Sequence, residues 1–213
     1  MAVKELITII GCGPGSAEYL TQAARQAAGE ADFMIGSKRL LALFPEVACE
    51  KVAEGADTAK VIKEIEARLG KGKIAVLVSG DPGLHSLARP VIQRFGAAKC
   101  RVAPGISSVQ LAFARIGLEW SDAKIISAHS ADPAMDFTSL CAENKIAVLG
   151  GRKESAVWVR KLAEKLDDDR AIFALENLSL PNEKVHEVKP CELDGGEYAS
   201  MTIFLIIRRG LIK

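Results

Sequence analysis

Short unbroken apolar runs alternate with amphipathic stretches along most of this chain. Leu6–Ile10, Ala31–Ile35, Ile74–Val78, Cys100–Ala103, Lys124–Ala128, Lys145–Leu149 and Ala171–Leu175 have the length and composition of strands, several of them buried on both faces. Val47–Val52 is a further, shorter candidate. Between these runs Leu20, Ala23, Ala24, Ala27 and Ala28 recur at i, i+3, i+4, i+7 and i+8, which predicts one buried helical stripe. Similar stripes are carried by Val61, Ile62, Ile65 and Leu69, by Leu111, Ala112 and Ile116, and by Trp158, Val159, Leu162, Ala163 and Leu166, the last closed by Asp167 to Asp169. A short helix is expected near 134–142. Pro90 predicts a late start or a kink in the helix that ends at Phe95, and Ser107 or Ser108 is the natural N-cap of the helix after the fifth strand. Strand and helix in turn make an α/β architecture. The pattern changes after residue 183: Val185–Val188 and Met201–Ile207 follow with no helix between them and are expected to pair antiparallel. A polar turn at Ile116–Asp122 places a boundary between two domains, 1–117 and 118–213.

The strand ends carry the unusual residues. Ile74–Val78 runs into SGDPGLH, where Gly80 and Gly83 permit backbone angles that other residues resist and Pro82 pushes Asp81 away from helical geometry. In open parallel sheets ligands bind beyond the carboxyl ends of strands, so Asp81 reads either as a site residue or as a cap for the next helix. The first strand ends in GCGPGS, which invites comparison with the dinucleotide fingerprint GxGxxG. The match fails at its third glycine, where Ser16 stands, and Pro14 removes a backbone donor. Asp32 lies near the right sequence distance to hold a ribose, but at the start of a strand rather than its end. A nicotinamide enzyme or an ordinary Rossmann methyltransferase is therefore disfavoured, and a tight turn without ligand stays open for this motif taken alone.

Composition narrows the class further. The apolar fraction of 49% is ample for globular cores in 213 residues. The formal charge of +1 comes from 28 basic and 27 acidic residues spread along the chain, which leaves no broad footprint for nucleic acid. The basic residues Arg208, Arg209 and Lys213 read as a solvated tail. Five cysteines, widely spaced and without a CxxC pair, suggest reduced thiols in a cytoplasm rather than disulfides or a bound metal. Lys4 and Glu5 interrupt the start, and apolar runs are strand-sized, so neither a signal peptide nor a membrane span is supported.

Taken together, GCGPG followed by Leu20-Thr21, the mid-chain SGDPG, PGISS at Pro104–Ser108 and ENLSLPNE at Glu176–Glu183 occur in the order found in the tetrapyrrole methylases, and the chain resembles that family along nearly its whole length. Within it, ADFMIGSKRL at Ala31–Leu40, Ser127-Ala128-His129 and ENLSLPNE are most similar to the branch that methylates C5 of a (cobalt-)precorrin on the way to cobalamin. The resemblance implies two αβα domains with S-adenosylmethionine in the cleft between them, and a homodimer. By motif, the implied donor-binding positions are Pro14, then Ser79, Gly80, Asp81 and Leu84, then Ser107 and Ser108, with Gly150 and Leu178 in the second half. Two positions depart from relatives: those that methylate uroporphyrinogen carry an acidic residue where Gly36 stands here, and close relatives read HGR where this chain has His129-Ser130-Ala131.

An activated sulfonium methyl and an electron-rich macrocycle carbon need positioning more than side-chain chemistry, in keeping with the absence of a Ser-His-Asp, metal-spacing or paired-carboxylate motif. No catalytic residue is assigned; His129, at a strand end, is the candidate for a substrate hydrogen bond or a proton shuttle, against a loop histidine bound to backbone. Lys38 and Arg39 follow the second strand and read either as partners for the carboxylates of a tetrapyrrole substrate or as a solvated helix start. His85 and His186 are read as structural, and Cys12 as a buried filler rather than a nucleophile. Only six residues follow Ile207, too few for a second methyltransferase module, so the chain is expected to add one methyl, with a separate protein completing the decarboxylating C15 step. Other readings are a sister methylase acting on another tetrapyrrole, ribosomal RNA or a protein, and a nucleotide-binding regulatory domain without turnover.

Overall fold

The apolar runs become two sheets in the computed structural model, which describes residues 7–55, 57–167 and 169–212. Leu6, Asp168 and Lys213, like Lys4 and Glu5, lie outside the described residues. The chain divides into two compact units, 1–107 and 108–213.

In the first unit the elements are β1 (Ile7–Gly11), α1 (Gln22–Gly29), β2 (Phe33–Gly36), α2 (Lys38–Leu41), β3 (Glu50–Ala53), α3 (Thr58–Arg68), β4 (Ile74–Val78), α4 (Ala88–Phe95) and β5 (Cys100–Ala103). The strands form one sheet in the order β3-β2-β4-β1-β5, and the pairs are parallel. Side chains of a strand alternate between faces, and the core divides accordingly. Ile7, Ile9, Ile74, Val76 and Val78 pack with Val61 and Ile65 of α3 and Ala88 and Val91 of α4. Ile10, Ala75 and Leu77 point the other way, against Ala24, Ala27 and Ala28 of α1 and Leu40 and Leu41 of α2. Ala23, expected in the α1 stripe, is exposed. Pro90 is the third residue of α4, so it marks a late helix start: Ser86 precedes that start, accepting from the Ala88 amide at 3.1 Å while its hydroxyl donates to the Pro82 carbonyl.

The second unit contains α5 (Ser108–Arg115), β6 (Lys124–Ser127), β7 (Lys145–Leu149), α6 (Lys153–Ala163), β8 (Arg170–Glu176), β9 (Lys184–Val188) and β10 (Thr202–Arg208). Val109, Leu111, Ala112 and Phe113 of α5 are buried and the helix packs along β10. The unit boundary therefore falls one helix before the position expected from the polar turn at 116–122. The sheet order is β6-β7-β10-β8-β9, with β6 and β7 parallel and the other pairs antiparallel. Ile146, Val148, Ile172, Ala174, Phe204 and Ile206 pack with Ala156, Trp158, Val159 and Leu162 of α6. The alternate residues Ala147, Leu175, Ile203, Leu205 and Ile207 are buried as well.

Two expectations fail here. The segments Val185–Val188 and Met201–Ile207 do not pair with each other, because β8 lies between them and pairs with both. Sequence proximity favoured a hairpin, but β8 is apolar on both faces and takes a neighbour on each side. Of the two flanking strands, the almost wholly buried β10 is central and the mostly exposed β9 is the edge. The helix expected near 134–142 shrinks to a single 3₁₀ turn, Phe137–Leu140, capped by Asp136 accepting from the Thr138 amide at 3.0 Å. Pro133 and that cap restrict the segment, and only Leu140 of the turn is buried.

Candidate functional site

The order of the first sheet singles out one place. β1 and β4 are neighbours, yet the chain leaving β1 enters α1 on one face and the chain leaving β4 enters α4 on the other. Adjacent strands whose connections depart in opposite directions open a crevice at their carboxyl ends, the usual ligand position in such sheets. The loops at that crevice are GCGPGS and SGDPGLH.

These loops are joined to one another. Gly13 and Gly80 form a bridge in which the Gly80 amide donates to the Gly13 carbonyl at 2.8 Å and the Gly13 amide to the Gly80 carbonyl at 3.2 Å. Both glycines have positive φ, 71° and 66°. The third loop, Pro104–Ser107 after β5, lies against them so closely that a Cβ on Gly11 would come within 2.6 Å of the Gly105 nitrogen, and a Cβ on Gly105 would overlap the Gly80 carbonyl oxygen. Asp81 completes the lacing: its Oδ1 accepts from the Gly83 amide at 2.7 Å and its Oδ2 from the Gly105 amide at 3.1 Å. Asp81 therefore caps two loops through its two carboxylate oxygens, rather than the helix that follows. Thr21, the N-cap of α1, accepts from the Ala24 amide and donates to the Pro104 carbonyl at 3.3 Å. Of the motif residues, Pro14, Gly80 and Ser107 are buried, Asp81 and Leu84 are partly buried, and Ser79 is exposed; Ser108 opens α5 in the second unit. His85, read as structural, sits exposed in the second loop with φ of 46°. Asp32 accepts from the Lys73 amide at 2.8 Å at the far end of β2, which removes it as a ribose ligand.

Arg39 reaches these loops and Lys38 does not take part. Ser37 caps α2 by accepting from the Leu40 amide, Lys38 is exposed, and the partly buried Arg39 donates from Nη2 to Ser79 Oγ at 3.2 Å. Its Nη1 is buried without a hydrogen-bond partner among the described residues. Burial holds the guanidinium pKa below its ordinary value. Burial also pushes the neighbouring Cys12 thiol up to about 12, against the pull of the Arg39 charge, so Cys12 is a buried filler as read from the sequence.

In the second unit the strand pairing brings the carboxyl ends of β6, β7 and β8 to one edge. His129, Gly150 and Leu178 follow those ends. His129 Nδ1 lies 2.8 Å from the Gly150 carbonyl oxygen, the backbone-bound arrangement, with the ring itself exposed. Gly151, at φ 122°, leaves no room for a Cβ against that ring. The Gly150 amide donates to the Thr202 carbonyl at 2.9 Å. Leu178 is buried between Asn177 and Ser179, both in the left-handed region at φ 51° and 70°, a strained turn of the kind that clusters at ligand sites.

That turn has a support which sequence reading missed. Glu183 accepts from Arg115 on α5, Nε to Oε1 at 2.5 Å and Nη2 to Oε2 at 3.1 Å, and from the Ser179 amide at 2.6 Å. The Arg115 hydrogen bond holds the Glu183 carboxyl below its usual range. The two residues are 68 positions apart, so no local pattern pairs them. Cavities of about 330 Å³, lined by Thr8, Glu30, Lys73 and Arg101 among others, and about 240 Å³, near Arg170 and Arg209, lie at the strand ends opposite the motif loops. Among the described residues no group of His, Cys, Asp and Glu is placed to hold a metal ion, and no helix is long and apolar enough to cross a membrane.

A family model described as tetrapyrrole (corrin/porphyrin) methylases matches residues 6–194. The cobalt-precorrin-7 C(5)-methyltransferase of Salmonella typhimurium is 32% identical over 208 residues, covering 96% of this chain and 100% of that protein. Among solved structures, the cobalamin biosynthesis precorrin-6Y methylase of Archaeoglobus fulgidus superposes with a TM-score of 0.75 at 22% identity, covering 96% of this chain and 98% of that one. The uroporphyrin-III C-methyl transferase of Thermus thermophilus, complexed with S-adenyl homocysteine, gives 0.74 at 22% identity, covering 96% and 92%. At that identity the two structures speak for the fold.

Proposed function

Because the chain belongs to the tetrapyrrole (corrin/porphyrin) methylase family, we propose that it is an S-adenosylmethionine-dependent methyltransferase that places one methyl group on C5 of a cobalt-precorrin in cobalamin biosynthesis. The observation that carries the reading is the set of three glycine-bearing loops at the carboxyl ends of β1, β4 and β5, held backbone to backbone. Gly11, Gly80 and Gly105 approach so closely that no side chain fits among them, and such a cradle suits a ligand held mainly by main-chain groups. Pro14, Ser79, Gly80, Asp81, Leu84, Ser107 and Ser108 are the proposed donor-binding residues, with Gly150 and Leu178 as further donor contacts. Lys38, Arg39 and His129 are the proposed substrate-binding residues.

The donor, when bound, supplies an electrophilic sulfonium methyl that an electron-rich carbon can take without prior activation. The residues of this chain then have the tasks of binding, orienting and excluding water. Correct orientation alone is worth up to ~7–11 kcal/mol of barrier, so rigid loops matter more than a catalytic acid or base. The Gly13–Gly80 bridge and Asp81 lace the three loops to one another, which restricts how their backbone can move. With its Nδ1 engaged by the Gly150 carbonyl, His129 keeps Nε2 for a substrate group.

Attribution to the C5 step follows the relative that this chain matches over that protein's full length. In the same reading the C15 methylation and decarboxylation fall to a separate protein, the enzyme works as a homodimer, and it acts in the cytoplasm. The deciding experiment is to incubate purified protein with labelled donor and a panel of precorrins and to read the products by mass spectrometry. A single mass increment of one methyl on cobalt-precorrin-7 supports the proposal. A doubly methylated, decarboxylated product contradicts it, and binding of donor with no product on any precorrin points instead to a regulatory domain.

A further inference from the structure

We infer that Arg39 anchors a carboxylate of a bound ligand through its Nη1, and that Ser79 holds the guanidinium ready for it. This rests on the proposed function. The positions of the two nitrogens argue for it. Nη2 is engaged by Ser79 Oγ at 3.2 Å, which fixes the plane of the guanidinium against the loop that follows β4. Nη1 is buried and meets no acceptor among the described residues. A charged donor withdrawn from water and left unmatched is costly, and such groups persist where a ligand supplies the missing acceptor. Cys12, whose charge would bear on Arg39, is a thiol whose pKa burial pushes up to about 12, and it supplies no counter-charge at neutral pH.

The fork geometry of arginine suits a carboxylate. Lys38, one residue earlier on the same short helix, is exposed and needs no such partner. Two ligands of the proposed reaction carry that group. One is the methionine end of the donor, and the other is an acidic side chain of the macrocycle. Ser79 belongs to SGDPG, so Arg39 is tied to the loop that follows β4.

The test uses the full chain and the variants Arg39→Gln and Arg39→Lys, with unfolding curves to confirm that each is folded. Calorimetry measures binding of S-adenosylhomocysteine and of 5′-methylthioadenosine, which lacks the amino-acid end, and steady-state kinetics measures KM and kcat for the tetrapyrrole. If the donor carboxylate is the partner, Arg39→Gln weakens S-adenosylhomocysteine roughly tenfold or more and leaves methylthioadenosine unchanged, with partial recovery in Arg39→Lys. If a macrocycle carboxylate is the partner, both nucleosides bind as before and KM for the tetrapyrrole rises by a similar factor while kcat holds. Equal weakening of both nucleosides, or no change in any of the constants, overturns the inference alone. A native chain that binds no S-adenosylhomocysteine overturns both the inference and the function it rests on.

Discussion

Asp81 Oδ2 accepts a hydrogen bond from the Gly105 amide at 3.1 Å, so a carboxylate from the loop after β4 fixes the backbone of the loop after β5. Its other oxygen is occupied by the Gly83 amide. Asp81 is therefore a positioning residue for two loops. Replacing it with alanine leaves two amides without their acceptor and should cost about 1–3 kcal/mol of stability, read from urea unfolding. Binding of S-adenosylhomocysteine should weaken by a larger factor than in a surface variant of equal stability. Unchanged affinity in Asp81→Ala would show that the lacing has no part in ligand binding.

Two glycines separate packing from chain entropy. Gly105→Ala drives a methyl into the Gly80 carbonyl and the Gly11 backbone, neither of which can rotate away, and is expected to destabilise the protein by ~1–3 kcal/mol or more. Gly29, at the end of α1, has nothing within 4 Å of its would-be Cβ, and Gly29→Ala should stabilise by about 0.5–1 kcal/mol. Thermal and urea unfolding of the pair should move in opposite directions.

The Arg115–Glu183 pair makes stability depend on pH. The folded-state pKa of Glu183 lies below the ordinary 4.5, mainly through the Arg115 hydrogen bond, so its contribution is full above about 4.5 and disappears as the pH falls through the depressed folded value. Glu183→Gln should cost about 1–2 kcal/mol at neutral pH and lose part of the acid dependence of the native protein. Donor binding should weaken with it, since the same carboxylate holds the Ser179 amide beside Leu178. Parallel acid-unfolding profiles of native and variant protein would remove Glu183 from this role.

Thiol chemistry offers a fourth check. Burial pushes the Cys12 thiol up to about 12, so it is almost entirely un-ionised near pH 8, whereas Cys141 and Cys191 are exposed. A disulfide reagent should label Cys141 and Cys191 quickly and Cys12 only on unfolding. Rapid labelling of Cys12 in the folded protein would mean that the first loop opens.

Strand positions were legible where apolar runs are bounded by turn residues: Ile74–Val78, Cys100–Ala103 and Lys145–Leu149 form as read. Spatial order was less so, because the place of β10 between β7 and β8 depends on which strand buries both faces, and a run such as Met201–Ile207 states its burial without naming its neighbours. The loops carrying the candidate site could be found from their glycines and prolines. What those residues do could not: Asp81 bonds an amide 24 positions away and Glu183 an arginine 68 positions away, and separations of that size leave no periodic trace. Lys38 and Arg39 looked equivalent as neighbours in sequence. One turn of helix sends only Arg39 to the loops.

The pairing of β1 also bears on how the protein is made. Its neighbours are β4 and β5, with Ile7 opposite Ile74 and Cys100, and no ladder joins it to β2, the strand that follows. At ~5–20 residues per second on the ribosome, the 67 residues from Ile7 to Ile74 take roughly 3–13 s to appear. Throughout that interval the ITIIG strand lacks both of its strand neighbours, and the faces it shares with α1 and α3 have no sheet to close on. Parallel pairing over such a span is slow even in a finished chain. A nascent chain arrested before residue 74 should therefore be the species most readily captured by a chaperone that binds extended apolar segments, and release should coincide with emergence of β4.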